Sequence, residues 1–181
     1  FVLGETIEGA LARARANEAK GYRHSFDMLG EGARTRADAG RYFESYFDAI
    51  DAIGRVAGRG LLPDRSGISV KLSALHPRYE ATKRVRVLEE LCPTLLDLAI
   101  KAKEHDLNLT VDAEEAARLE LSLDVISRVL ADPRLAGWDG FGLAIQAYQK
   151  RALDVVDWVV DLARTYDRRL MVRLVKGAYW D

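Results

Sequence analysis

The chain has 181 residues, of which 49% are hydrophobic and 30% are charged, a balance typical of a folded globular domain and not of a disordered chain. Its 27 Lys and Arg residues nearly balance its 28 Asp and Glu residues, and a formal charge of -1 argues against nucleic acid as a partner. The sequence contains no apolar run of about 18 residues that would predict a membrane span, and charges near the first residues argue against an export signal.

Short apolar runs alternate with longer amphipathic stretches along the chain. The first predicted element is a helix over residues 4–20. Predicted strands follow at residues 22–28, 67–74, 107–112, 140–147 and 169–176. Between them, apolar residues three and four positions apart predict helices, as in the series Tyr42, Tyr46, Ile50 and Ile53.

Polar residues and glycines punctuate the predicted helices. Thr35 with Asp38 predicts one helix start, and Asp112 with Glu115 predicts another. Gly21 and Gly58 stand just past predicted helix ends.

The single cysteine, Cys92, lies in a helical apolar pattern together with Leu91, Leu95 and Leu96. This pattern predicts a buried thiol in a reducing, cytosolic setting.

Alternating strands and helices predict an α/β fold with a parallel sheet. Two architectures compete, because five strands in this length suit an open flavodoxin-like sheet, whereas an eight-stranded barrel needs about 250 residues. The first strand is not followed by a glycine-rich phosphate loop; residues 27–31 read Asp-Met-Leu-Gly-Glu instead. The residues by themselves leave this choice open.

Each predicted strand ends in a polar or charged side chain. These are Asp27, Lys71, Asp112, Gln146 and, on the fifth strand, Arg173 followed by Lys176. The carboxyl ends of parallel strands share one face, where α/β folds place their active sites. The alternative for any one of these residues is that it only caps the helix that follows.

Lys71 interrupts an apolar predicted strand, and burying an unpaired ammonium is costly, so a functional role is favoured. It could bind an anionic substrate or form a Schiff base. Arg173 could form a salt bridge with Asp112 or Asp27, or face a ligand that gains negative charge. Asp112, Glu114 and Glu115, with His76 near a strand end, are weak evidence for a metal site.

Five stretches, taken in order, resemble the proline dehydrogenase domain of the bifunctional enzymes called proline utilization A. They are residues 26–31 (FDMLGE), 71–79 (KLSALHPRY), 112–115 (DAEE), 145–151 (IQAYQKR) and 173–181 (RLVKGAYWD). The second and fifth are long enough to make the resemblance specific.

The resemblance implies a distorted (β/α)8 barrel that binds flavin adenine dinucleotide (FAD) at the carboxyl ends of its strands. Residues 1–181 would form the N-terminal portion of this barrel, with five of its strands and an extra first helix. The implied reaction is the oxidation of L-proline to 1-pyrroline-5-carboxylate by transfer of a hydride equivalent to the flavin.

The resemblance also implies roles for individual residues. Arg173 would approach flavin N5 and Gln146 the pyrimidine side of the ring. Lys71 would pair with the carboxylate of proline, Tyr179 would pack on the proline ring, and Asp27 and Glu31 would lie at the mouth of the site. The further implied FAD-binding residues are Asp112, Ala113, Ala144, Val175, Lys176, Gly177, Ala178 and Trp180.

The family barrel has three further strands and a final helix, which carry two substrate-binding arginines and an active-site tyrosine. We therefore expect a polypeptide of only these 181 residues to be poorly active and to self-associate through apolar sheet edges. The resemblance further implies a cytoplasmic parent protein that contacts the membrane peripherally and passes electrons to membrane quinone. The competing hypotheses are a non-catalytic, oligomerising binding module and a barrel aldolase that uses Lys71 as its Schiff-base lysine.

Overall fold

A computed structural model describes residues 2–29 and 32–177 of the chain. Within these residues five strands form one sheet: β1 (Ser25–Phe26), β2 (Gly67–Val70), β3 (Leu109–Val111), β4 (Phe141–Gln146) and β5 (Met171–Val175). The α-helices are α1 (Ile7–Glu18), α2 (Arg36–Val56), α3 (Leu72–Leu75), α4 (Arg84–Glu104), α5 (Leu119–Leu130) and α6 (Ala152–Thr165).

The strand order decides between the two predicted architectures. The strands pair in chain order, β1-β2-β3-β4-β5, and all four pairs are parallel. A flavodoxin-like sheet has the order 2-1-3-4-5, whereas sequential parallel strands are the arrangement of a barrel. The predicted α/β class and the partial barrel are confirmed.

The sheet is curled into a half-barrel. The Arg173 side chain of β5 donates a hydrogen bond of 2.9 Å to Ser69 Oγ on β2. In a flat sheet, strands three positions apart are separated by about 14 Å, at roughly 4.8 Å per strand. The contact therefore crosses the concave side of the sheet, which is the inside of the half-barrel.

The predicted strand positions are confirmed, but each strand is shorter than its predicted range, and in the second the last residues form a helix. The structure ends β2 at Val70, and Leu72–Leu75 form a single helical turn. Leu72, Ala74 and Leu75 are nonetheless buried. A short apolar run does not by itself distinguish a buried strand from a buried helical turn, which explains the error.

The predicted helix signals had mixed outcomes. Thr35 and Asp38 form a reciprocal capping box at the start of α2, and Gly58 follows the end of α2 with a φ of +72°. The predicted helix start at Asp112 is wrong, because α5 begins at Leu119. Asp112 is instead committed to ion pairs inside the half-barrel.

The core lies between the sheet and the helices on its convex side. Helices α2 and α4 contribute Ile50, Ile53, Leu91 and Leu95, which pack with residues of the central strands. The predicted burial of Cys92 is confirmed, and burial raises the pKa of its thiol to about 11. No helix in the described part of the chain is long and apolar enough to cross a membrane.

Two valines of α4 provide a test of this packing. We expect Val87→Ala to lower the free energy of unfolding by about 1.5–3 kcal/mol, since Val87 is fully buried and its truncation leaves a cavity. The same change at Val85, which is 68% exposed, should have an effect below about 0.5 kcal/mol. Urea denaturation of the purified variants measures both values, and equal effects would contradict the placement of α4.

Candidate active site

The register of the sheet places four of the predicted residues in one row. Val70, Val111 and Leu143 are paired across β2, β3 and β4, and Ala144 is paired with Arg173 across β4 and β5. One residue further along, Lys71, Asp112, Ala144 and Arg173 therefore stand side by side. Alternate residues of a strand share a face, so this row faces the same side as Ser69 in the row below.

Asp112 connects the two cations of this row. One of its carboxylate oxygens lies 3.3 Å from Lys71 Nζ, and the other accepts a hydrogen bond from Arg173 Nη2. The Asp112 side chain is only 10% exposed, so the pairing takes place largely away from water. A single buried carboxylate thus holds an ammonium and a guanidinium on one side of the half-barrel.

Lys71 has a second carboxylate partner at the mouth of the half-barrel. Its Nζ donates to both oxygens of Asp27, at 2.9 and 3.0 Å. Its backbone N–H donates to the hydroxyl of Tyr46, a buried residue of α2, at 3.2 Å. The aspartates therefore hold the ammonium, and α2 holds the backbone of Lys71.

Gln146 lies at the end of β4, near the same row. Its Nε2 donates to the backbone oxygen of Glu114 at 2.7 Å, which fixes the orientation of the amide. Within residues 2–29 and 32–177, Gln146 Oε1 and Arg173 Nε are both buried and have no hydrogen-bond partner. The site therefore presents one unsatisfied acceptor and one unsatisfied donor.

Gly177 closes the approach to Gln146. Its φ of +74° lies in the left-handed region, and a Cβ at this position would stand 2.7 Å from Gln146 Oε1. A side chain here would be strained and would crowd the amide oxygen. Glycine at position 177 avoids this clash with the amide oxygen.

The other predicted cofactor residues occupy the same end of the sheet. Ala113 and Ala144 line a depression together with Asp112 and Gln146. Val175 pairs with Gln146 in the sheet, and the backbone oxygen of Lys176 accepts from Tyr148 N at 3.1 Å. The predictions at Glu31, Ala178, Tyr179 and Trp180 fall outside the described residues.

A second pocket of about 450 Å³ lies beside this row, between the segments that follow β2 and β3. Glu114 faces it, accepting from Ser73 N at 3.1 Å and lying 3.5 Å from Arg118 Nη1. Burial is the main cause that raises the pKa of Glu114 above its ordinary value of 4.5. The Arg118 guanidinium also stacks over the buried Tyr79 ring, 5.3 Å from its centroid.

The acids and the histidine considered for a metal are engaged otherwise. Glu115 pairs with Arg118 at 3.0 Å. His76 is buried, with Nε2 3.1 Å from a Glu90 oxygen, and its Nδ1 accepts from Arg78 N. Within the described ranges, no group of three or more His, Cys, Asp or Glu residues is arranged to hold a metal ion.

Two contributors to the site, Ser69 and Glu114, are not predicted from the sequence in the roles that the structure gives them. A serine inside the apolar strand β2 was a usable signal for Ser69, since a buried hydroxyl requires a partner. The sequence indicates Glu114 only as one of three neighbouring acids that could hold a metal. The structure instead buries most of its side chain.

Comparisons with known proteins identify the family of the chain. Residues 10–181 match the family described as Proline dehydrogenase. The chain is 57% identical over 182 residues to "Bifunctional protein PutA" of Salmonella typhimurium, and the match covers 100% of this chain and 14% of that protein. It is 30% identical to "Proline dehydrogenase 1" of Bacillus subtilis, covering 99% of this chain and 51% of that one.

Solved structures give the same result. A mutant of Bradyrhizobium japonicum Proline Utilization A superposes with a TM-score of 0.89 at 70% identity, covering 99% of this chain and 18% of that chain. The chain thus spans only about a seventh of the first curated relative, at 14% of its length.

The buried carboxyl of Glu114 provides a pH test of the site. Between the ordinary pKa of 4.5 and its raised value, the folded state binds more protons than the unfolded state. Stability due to this group therefore falls as pH rises through that window. We expect Glu114→Gln to become more stable relative to wild type as pH increases from about 4 to about 7.

Denaturant unfolding at both pH values measures this difference. Glu115→Gln is the matched control, because Glu115 contacts the same arginine but is exposed to solvent. A Glu114→Gln effect that is independent of pH would contradict the burial of this carboxyl.

Proposed function

Since the chain belongs to the proline dehydrogenase family, we propose that its half-barrel forms part of a site that oxidises L-proline to 1-pyrroline-5-carboxylate with FAD as cofactor. The parent protein would be a bifunctional proline utilization A enzyme, in which residues 1–181 are the N-terminal portion of the dehydrogenase barrel. The observation that carries the proposal is the placement of three side chains at the carboxyl ends of the strands. The ammonium of Lys71, the guanidinium of Arg173 and the carboxamide of Gln146 meet there, and the last two have unsatisfied donor and acceptor atoms.

The unsatisfied atoms fit a flavin. The isoalloxazine edge carries a donor at N3–H and acceptors at N5 and the carbonyl oxygens, which complement Gln146 Oε1 and Arg173 Nε. When bound, the flavin supplies the electron acceptor for the hydride equivalent that leaves the proline carbon beside the ring nitrogen. The residues proposed to bind it are Asp112, Ala113, Ala144, Gln146, Arg173, Val175, Lys176, Gly177, Ala178 and Trp180.

Arg173 is proposed as the catalytic cation. A fixed guanidinium beside the ring stabilises the negative charge that the ring gains on reduction. The ion pair with Asp112 holds this guanidinium on the protein. The protein therefore contributes a positioned charge and leaves the redox chemistry to the cofactor.

Lys71 is proposed to bind the carboxylate of proline. Its ammonium already binds a carboxylate, that of Asp27, at the open side of the site. A substrate carboxylate would form the same kind of charge-assisted hydrogen bond. Tyr179 is proposed to pack on the proline ring, with Asp27 and Glu31 at the mouth.

No observation favours the aldolase alternative. A Schiff-base lysine must react as the neutral amine. Lys71 lies between two carboxylates, Asp27 and Asp112, which stabilise its charged form.

We further propose that a polypeptide limited to these 181 residues would oxidise proline poorly and would self-associate. Val172 and Leu174 are exposed on the convex face of the edge strand β5, which supports this expectation. The parent enzyme is proposed to be cytoplasmic and to pass its electrons to membrane quinone.

The main test is spectroscopic. We expect the natural full-length protein to purify with a flavin absorption band, and proline added without oxygen to bleach it. 1-Pyrroline-5-carboxylate should form in equal amount. A protein without flavin, or a flavin that proline does not reduce, would refute the proposed function.

The role of Lys71 has a separate test. We expect Lys71→Met to raise the KM for proline by about tenfold to a hundredfold, since a hydrogen bond between charged groups contributes about 1.5–3 kcal/mol. The effect on kcat should be smaller, because the flavin contacts remain.

Lys101→Met is the control for Lys71→Met. Lys101 also pairs with an aspartate, Asp51, at 2.9 Å, but this pair lies on the helical layer. Its removal should leave the KM unchanged. An unchanged KM in Lys71→Met would contradict carboxylate binding by this lysine.

A further inference from the structure

A buried serine lies beneath the guanidinium of Arg173. Ser69, the third residue of β2, is fully buried, and its Oγ accepts from Arg173 Nη1 at 2.9 Å. Its row faces the concave side of the sheet, one row below Lys71 and Asp112. The serine is thus the only hydroxyl that the described residues offer to this guanidinium.

The direction of the hydrogen bond follows from chemistry. A guanidinium only donates, so Ser69 Oγ must be the acceptor. Its own hydroxyl proton then remains available for Ser25 Oγ, which lies 2.8 Å away on β1. The three groups form a chain of donors that runs from Arg173 through Ser69 to Ser25, in which each bond strengthens the next.

Two contacts determine the orientation of the Arg173 head group. Nη2 donates to Asp112 and Nη1 donates to Ser69, so the two terminal nitrogens are held from different strands. One contact would leave the planar group free to rotate about that bond, whereas two contacts define its plane. The remaining nitrogen, Nε, is buried and has no partner in the described residues.

We propose that Ser69 is a positioning residue that orients Arg173 so that its Nε–H edge faces the flavin. The inference rests on the proposed function, in which Arg173 stabilises the reduced ring. Without Ser69, the ion pair with Asp112 would keep the charge nearby but would not define its direction. A misdirected cation stabilises the reduced flavin less well.

The test uses the natural full-length protein loaded with flavin and the variant Ser69→Ala. We expect kcat for proline to fall by about tenfold, as for a lost hydrogen bond to a charged group, with the KM within about twofold. The flavin reduction potential should become more negative by about 30 mV, the equivalent of a tenfold change for a two-electron couple. Anaerobic titration against a reference dye measures that potential independently of turnover.

Two further variants separate orientation from stability. Ser69→Thr keeps the hydroxyl, and a threonine already occupies the adjacent position in the same row at Thr110, so this variant should restore the potential and kcat. Ser66→Ala removes another buried serine, whose hydroxyl binds Glu18 at 2.8 Å, away from the row of charged residues. It should leave the potential unchanged.

A wild-type potential and kcat in Ser69→Ala would overturn the inference, as would a Thr variant that behaves like Ala.

If Ser69→Ala does not fold, Ser25→Ala replaces it, because Ser25 is exposed and its removal weakens the same chain. The flavin potential of Ser25→Ala should also become more negative, by an amount equivalent to about a twofold to threefold change in the equilibrium constant. An unchanged potential would count against the proposal. A wild-type protein that proline does not reduce would refute the proposed function itself, which is a different outcome.

Discussion

The shared carboxylate of Asp112 is the interaction on which the candidate site depends. Lys71 follows β2 and Arg173 belongs to β5, two strands that are not neighbours, yet both side chains contact Asp112. Two cations on one face of a partly desolvated site repel each other, and an anion between them offsets this repulsion. Asp112 stands between them in the row, at the end of β3, so the sheet register itself provides the required order.

Curling of the sheet makes this arrangement possible. Sequential parallel strands bend towards one another on the concave side, which lets a β5 side chain reach β2. Strand β4, which lies between Asp112 and Arg173, carries Gly142 and Ala144 on the concave face. A Cβ at Gly142 would meet the backbone oxygen of Met171. Small residues on β4 therefore allow close strand packing and leave space above the row.

Sequence reasoning predicted the strands, their class and the rim residues, because each rests on a local signal: an apolar run followed by a polar residue. It did not predict the strand order, which depends on long-range pairing between segments such as β2 and β3. The helix start at Asp112 was wrong because an aspartate that caps a helix and one that binds an arginine from a distant strand look alike in sequence. The role of Ser69 was missed because the partner of its buried hydroxyl, Arg173, lies 104 positions away in the sequence.

The charges of the row also indicate which contact a substrate would replace. Among the described residues, Asp27 and Asp112 are the carboxylates that pair with Lys71 and Arg173, and an added carboxylate would compete with one of them. Asp112 is 10% exposed and holds both cations, whereas Asp27 is 38% exposed and binds only one of them. Releasing Asp27 to water costs less than leaving Arg173 without its anion. In the proposed dehydrogenase, the carboxylate of proline would therefore take the place of Asp27 on Lys71, while Asp112 and Ser69 keep Arg173 in place.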